Sequence, residues 1–223
     1  KVSATLSYST DNYSFEIPER RINHQKIRIV PVADEITEVV IDLPLIGDHQ
    51  AENAVTAYAA VSELIRQGEL ITKAQIQAGF ANVVWPGRME TISDEPLVIV
   101  DGAHNPDSAR RLAEAVDAFL NNKDITLIVG FSGDKDLSGI MKPLLPRVKN
   151  LIASQSVHPR AMPPEKIISQ LEEMGVEAMK FARIEEALES AYQLAGEEGV
   201  VLVTGSLFMV GAAKSAVRAL EDS

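Results

Sequence analysis

Asp101 and His104 stand three residues apart in Val98-Ile99-Val100-Asp101-Gly102-Ala103-His104-Asn105-Pro106, where a β-branched apolar run gives way to a polar turn. A carboxylate at such a turn accepts hydrogen bonds from ribose hydroxyls or holds a cation, and an imidazole three residues on reaches a phosphate or carries a proton. The same turn admits a plainer reading, in which Asp101 caps the next helix and His104 is a hydrogen-bonded turn residue. Arg88, in Trp85-Pro86-Gly87-Arg88-Met89-Glu90, offers a guanidinium in a stretch that suits neither helix nor strand. Lys135 follows the apolar run ending at Gly130, and Ser206 follows the one ending at Thr204, so a cation and a hydroxyl can face one crevice. The alternatives are a solvent-facing lysine and an N-cap serine. His49, Gln50 and Asn53 fall in about the first turn of a helix-patterned segment, where polar groups suit anion or base recognition, or capping.

The elements that carry these residues are of two kinds. Residues 1 to 43 alternate polar and apolar positions, as in Ala4-Thr5-Leu6-Ser7-Tyr8, Tyr13–Ile17, Lys26–Val30 and Glu38–Leu43, with a turn at Asp11-Asn12. This predicts hairpins or a small antiparallel sheet. Asp48 is the expected N-cap of a helix over residues 49 to 67, and Thr72 that of a shorter helix ending near Gly79. From residue 97 onward, apolar runs at 97–101, 125–130, 150–153 and 200–204, with a weaker one at 178–181, alternate with helical patterns near 107–121, 137–145, 163–174, 183–195 and 207–221. Such alternation predicts right-handed crossovers and a doubly wound, mostly parallel, Rossmann-like sheet. The fold class is α/β, with a partial domain of hairpins and helices (1–86) before the Rossmann-like domain (87–223), the boundary falling at Trp85-Pro86-Gly87.

Composition narrows the function. The 223 residues are 46% hydrophobic and 24% charged, enough for one substantial core and a smaller one. A formal net charge of -11 argues against a general nucleic-acid or anionic-membrane surface, so any anion is held by local groups. There are no cysteines, which excludes disulfides and thiolate metal sites and suits a reducing, cytoplasmic setting. No apolar run approaches the ~20 residues of a membrane span. The start at Lys1-Val2-Ser3 reads as a piece cut from something longer. The paired glutamates at 172–173, 185–186 and 197–198 read as solvated helix faces. His24 and His158 read as surface or packing residues, and Phe208 and Met209 as core.

Six stretches in order resemble the C-terminal part of the folylpolyglutamate synthase and dihydrofolate synthase family of the Mur ligase superfamily. They are Leu45-Ile46-Gly47-Asp48-His49-Gln50-Ala51-Glu52-Asn53-Ala54, Trp85–Glu90, Asp101–Pro106, Gly133-Asp134-Lys135-Asp136, Pro159-Arg160-Ala161 and Thr204–Gly211. The resemblance runs from about residue 40 to the end; Ala212-Ala213 departs from it, where the family usually places a charged residue.

The resemblance implies an ATP-dependent ligase that joins L-glutamate to a folate carboxylate through an acyl phosphate. It implies that Asn53 contacts the adenine side, that Arg88 and Asp101 reach ATP, that His104 lines the same crevice, and that Lys135 and Ser206 hold the incoming amino acid. Mg2+ would arrive on the nucleotide, with its protein ligands mainly on an upstream domain. That domain would also carry the phosphate loop, since the G-x-x-x-x-G-K-S/T pattern is absent and Gly130-Phe131-Ser132-Gly133-Asp134-Lys135 has the wrong spacing. The chain alone is then expected to be silent. Two other readings stand beside this one. One is a ligase acting on a cell-wall nucleotide precursor, against which the Trp85 and Asp101 stretches weigh; the other is a non-catalytic nucleotide-binding module.

Overall fold

The computed structural model describes residues 6–32, 38–133 and 135–221. Ala4, Thr5 and Asp134, which the sequence reading used, lie outside them. The chain divides into two compact units, Lys1–Trp85 and Pro86–Ser223.

In the first unit β1 (Tyr13–Arg21), β2 (His24–Pro31) and β3 (Val39–Leu43) form an antiparallel sheet in that order. Period-two alternation sends Ile27 and Ile29 of β2, and Val39, Ile41 and Leu43 of β3, to one buried face. That face packs on Ala51, Ala54, Val55 and Tyr58 of α2 (Asp48–Arg66), with Tyr58 edge-on to Tyr13 at 5.3 Å. Each fully buried aliphatic side chain contributes about 1.5–3 kcal/mol relative to exposure.

Local expectations fail here at three places. Residues 6–8 form no strand, and Ser9–Asn12 make a helical turn (α1) in which the Asn12 amide donates to Ser7 Oγ and the Tyr8 carbonyl, each at 2.9 Å. Asp48 does not cap α2: Gly47, at φ 108°, holds the cap position, and the Asp48 carboxylate pairs with Arg20 instead. The turn before α2 is secured by buried Gln25, whose amide donates to the carbonyls of Leu45 and Gly47 at 3.0 Å. Gly79 does not end α3 (Lys73–Ala81); a Thr72–Gln75 capping box starts this helix and it runs on to Ala81, because one glycine costs only about 1 kcal/mol.

In the second unit β4 (Glu90–Asp94), β5 (Leu97–Val100), β6 (Ile125–Val129), β7 (Asn150–Ala153), β8 (Met179–Lys180) and β9 (Val200–Thr204) form one sheet in the order β4-β5-β9-β6-β7-β8. All neighbours are parallel except β4 and β5. Every residue of β6 and β9 is buried, as central parallel strands covered on both faces require. β4 was not foreseen, because five mostly polar residues at a sheet edge carry little periodic signal.

The helices are α4 (Pro106–Phe119), α5 (Leu137–Leu144), α6 (Pro164–Glu173), α7 (Ile184–Ala195) and α8 (Leu207–Glu221). Crossovers through α4, α5 and α6 move one way across the sheet, and the crossover through α7 moves back to place β9 between β5 and β6. Right-handed connections therefore put α7 on the opposite face, where it packs with α8 over Val98, Val100, Ile128, Val201 and Val203. Parallel strands open their carboxyl ends at one edge, so the turns after β5, β6, β7 and β9 converge. Among the described residues no helix is long and apolar enough to cross a membrane.

Candidate active site

The turn after β5 is built around Asp101, which is 9% exposed. Its Oδ1 accepts the Ala103 N–H at 2.8 Å and its Oδ2 the Met89 N–H at 2.9 Å, so the carboxylate clamps two backbone segments. Burial pushes its pKa up to about 6, against the two N–H bonds and the nearby Arg88 charge, which pull it down. The plainer reading of Asp101 as a helix cap is excluded: Asn105 caps α4 through a reciprocal pair with Ser108, and Pro106 takes the first helical position.

The segment clamped by Asp101 carries Arg88. Met89 sits at φ 44°, a conformation that non-glycine residues adopt only when neighbours hold them there. Besides Asp101, Glu90 holds it, accepting the Gly87 N–H at 2.8 Å and pairing with Lys214 of α8. The Gly87 carbonyl accepts from the Gly102 N–H and from Arg88 Nη1, each at 2.9 Å. A Cβ on Gly102 would come within 3.0 Å of Arg88 Nη1 and 2.5 Å of Leu207 Cδ2, so the guanidinium and the Leu207 side chain both lie close against this turn.

His104 is exposed, and its Nδ1 lies 2.9 Å from the Gly102 carbonyl oxygen. A carbonyl only accepts, so Nδ1 carries the proton and Nε2 of the neutral ring is left as an acceptor. His104 borders a cleft of about 310 Å³ at the carboxyl ends of the strands, with Ser132, Gly133 and Lys135 from the turn after β6, Arg160 from the turn after β7, and Gly205–Phe208 after β9. Gly205, at φ 110°, lets the β9 turn press on the Gly130 carbonyl, which a Cβ would meet at 2.6 Å.

The sequence-derived residues fall into three groups. Arg88, Asp101 and His104 surround the β5 turn, and His104, Lys135 and Ser206 line the cleft. Asn53 belongs to the other unit, exposed on α2, where its amide donates to Gln50 Oε1 at 3.3 Å. Ser206 is the cap of α8: its hydroxyl accepts the Met209 N–H at 3.1 Å and donates to the Gly130 carbonyl at 3.2 Å, which leaves no hydrogen for a ligand. Its contribution to the cleft is the positive end of α8.

Sequence reading missed part of this cleft. Ser132 and Ala161 form an isolated antiparallel bridge, flanked by Gly133 N–H to Arg160 O at 2.9 Å and Met162 N–H to Phe131 O at 2.8 Å, which staples the turns after β6 and β7 together. Ser132 Oγ is buried there without a partner among the described residues. Phe208, expected in the core, is 45% exposed, whereas Met209 is fully buried. Nothing local in the sequence announces a staple between two aperiodic loops; only the shared sheet edge brings them together.

The donor sets sort the possible ligands. Among the described residues no three His, Asp or Glu side chains gather as metal ligands. Two basic side chains, Lys135 and Arg160, together with the start of α8, make the cleft suited to carboxylates, and Arg88 offers a phosphate-matching fork beside it.

The sequence profile described as Mur ligase, glutamate ligase domain, matches residues 87–207. A probable bifunctional folylpolyglutamate synthase/dihydropteroate synthase of Halobacterium salinarum is 35% identical over 198 residues, covering 88% of this chain and 23% of that protein. The structure of Mycobacterium tuberculosis folylpolyglutamate synthase complexed with ADP and AMPPCP superposes with a TM-score of 0.76 at 29% identity, over 90% of this chain and 47% of that one. Escherichia coli FolC in complex with DHPP and ADP gives 0.75 at 26% identity, over 94% and 47%. The chain thus spans about half or less of the length of the proteins it matches. With β5 to β9 inside the matched region, the chain belongs to the Mur ligase family and carries its glutamate ligase domain.

Proposed function

We propose that this chain supplies the glutamate-ligase portion of an ATP-dependent ligase that extends a folate by L-glutamate. The reaction passes through an acyl phosphate. The folate carboxylate takes the γ-phosphoryl group of MgATP and releases ADP; the glutamate amine then attacks the acyl carbon, and phosphate leaves as the amide forms. The observation that carries this reading is the cleft at the carboxyl ends of β5, β6, β7 and β9, lined by His104, Lys135, Arg160 and the start of α8.

Each residue has a task. Lys135 and the α8 N-terminus hold a carboxylate of the entering amino acid. Arg88, held by the Asp101 clamp, neutralises phosphate charge as the group is transferred. Asp101 acts through the backbone of Met89 and Ala103, since both its oxygens are engaged. His104 presents Nε2 to the cleft as an acceptor, and Asn53 pairs with the adenine edge. ATP supplies the activated phosphoryl group when bound; its phosphate cradle and Mg2+ ligands belong to a part of the protein outside these residues, since no phosphate-loop pattern occurs here. The 223-residue chain is accordingly silent by itself.

ADP release by the whole protein tests this. With MgATP, L-glutamate and tetrahydrofolate, release is expected; further release with dihydropteroate makes the enzyme bifunctional. No release with either acceptor, and release with a uridine-linked cell-wall precursor, would replace the folate reading by the other ligase class.

A further inference from the structure

The turn after β7 contains a contact that the chemistry above does not use. The imidazole of His158 stacks on the ring of Phe208, centroids 3.7 Å apart and planes within 20°. Its Nδ1 accepts the Arg160 N–H at 3.1 Å, and its carbonyl accepts the Ala161 N–H at 2.8 Å. Because Nδ1 accepts, the neutral ring carries its proton on Nε2. One half-buried side chain therefore closes the Pro159-Arg160 turn and joins it to the first turn of α8.

The other side of the same turn is tied to the β6 loop by the Ser132–Ala161 bridge and the Gly133–Arg160 hydrogen bond. Arg160 is fixed from two directions, and both rims it joins line the cleft. A surface turn held only at one rim would have to order when ligand enters, and ordering a loop is subtracted from affinity.

We propose that His158 is a positioning residue of the cleft: through its stack on Phe208 and its bond to the Arg160 N–H it holds the β7 turn against the start of α8, so that the amino-acid site is preformed. The identity of the amino acid rests on the ligase reading; the clasp itself does not. Loss of the clasp weakens the amino acid's binding and leaves ATP untouched.

Two measurements test it. In the whole ligase, His158→Ala raises the KM for L-glutamate about tenfold while the KM for ATP stays within about twofold. His158→Asn keeps an acceptor near the place of Nδ1, His158→Phe keeps the stacking ring, and each recovers part of the loss. Equal rises for both substrates, or an unchanged glutamate KM, would overturn the proposal. In the 223-residue chain, 15N spectra of the histidines should show His158 with Nδ1 unprotonated and Nε2 protonated, and the Arg160 amide should shift in His158→Phe. The opposite tautomer would overturn the clasp outright. A whole protein that does not use L-glutamate would instead remove the ligase reading, with the tautomer measurement still deciding the clasp.

Discussion

Asp101 Oδ2 accepts the Met89 N–H at 2.9 Å, so the end of β5 and the segment bearing Arg88 are joined by one buried carboxylate. Any motion of that segment relative to β5 must break a charge-assisted bond in a site with little water, which makes the Arg88 position stiff.

The clamp has a pH signature. The Asp101 pKa is raised from 3.8 to about 6 in the folded state, so folding favours its protonated form. This contribution to stability is full below the unfolded value and is lost as pH rises through about 6. The difference in unfolding free energy between wild type and Asp101→Asn should therefore fall by up to about 3 kcal/mol from about pH 4 to about pH 7. Urea denaturation across that window measures it, and a difference that does not vary with pH would contradict the assignment.

Arg88→Ala removes a guanidinium bonded to its neighbour's carbonyl whose charge also favours ionised Asp101, so the fold should survive with a loss of about 1 kcal/mol at neutral pH. Turnover should not: kcat/KM for MgATP is expected to drop about a hundredfold in the whole enzyme, the size of effect seen when one transition-state charge stabiliser is lost. Wild-type kinetics, with folding verified by circular dichroism, would take Arg88 out of the site.

Ser206→Ala should act on stability. It deletes the acceptor for the Met209 N–H at the start of α8 and the donor to the Gly130 carbonyl, a loss of about 1–2 kcal/mol. An unchanged denaturation midpoint would show that the cap is dispensable.

Much of the second unit was legible because its central strands are continuous apolar runs: β6 and β9 have no polar-facing side and announce themselves. That Asp101, Lys135 and Ser206 fall at one sheet edge was legible for the same reason, since each follows such a run and a parallel sheet aligns the ends of its strands. What sequence could not supply was which partner each polar group takes. Asp48 carries the signature of a helix cap yet pairs with Arg20, because Gly47 already holds the turn; Asp101 has the same signature and clamps Met89, because Asn105 is the better-placed cap. The His158–Phe208 stack joins residues fifty positions apart, one in an aperiodic turn and one in the first turn of α8, and no local pattern encodes such a meeting.

Lys135 is the side chain that tests most directly whether the cleft is the amino-acid site. Steady-state kinetics of Lys135→Ala in the whole protein should show the KM for L-glutamate raised about tenfold or more, as loss of one charge-assisted contact predicts, with the KM for ATP within about twofold of wild type. A glutamate KM equal to wild type would return Lys135 to the solvent and remove the cleft from the reaction.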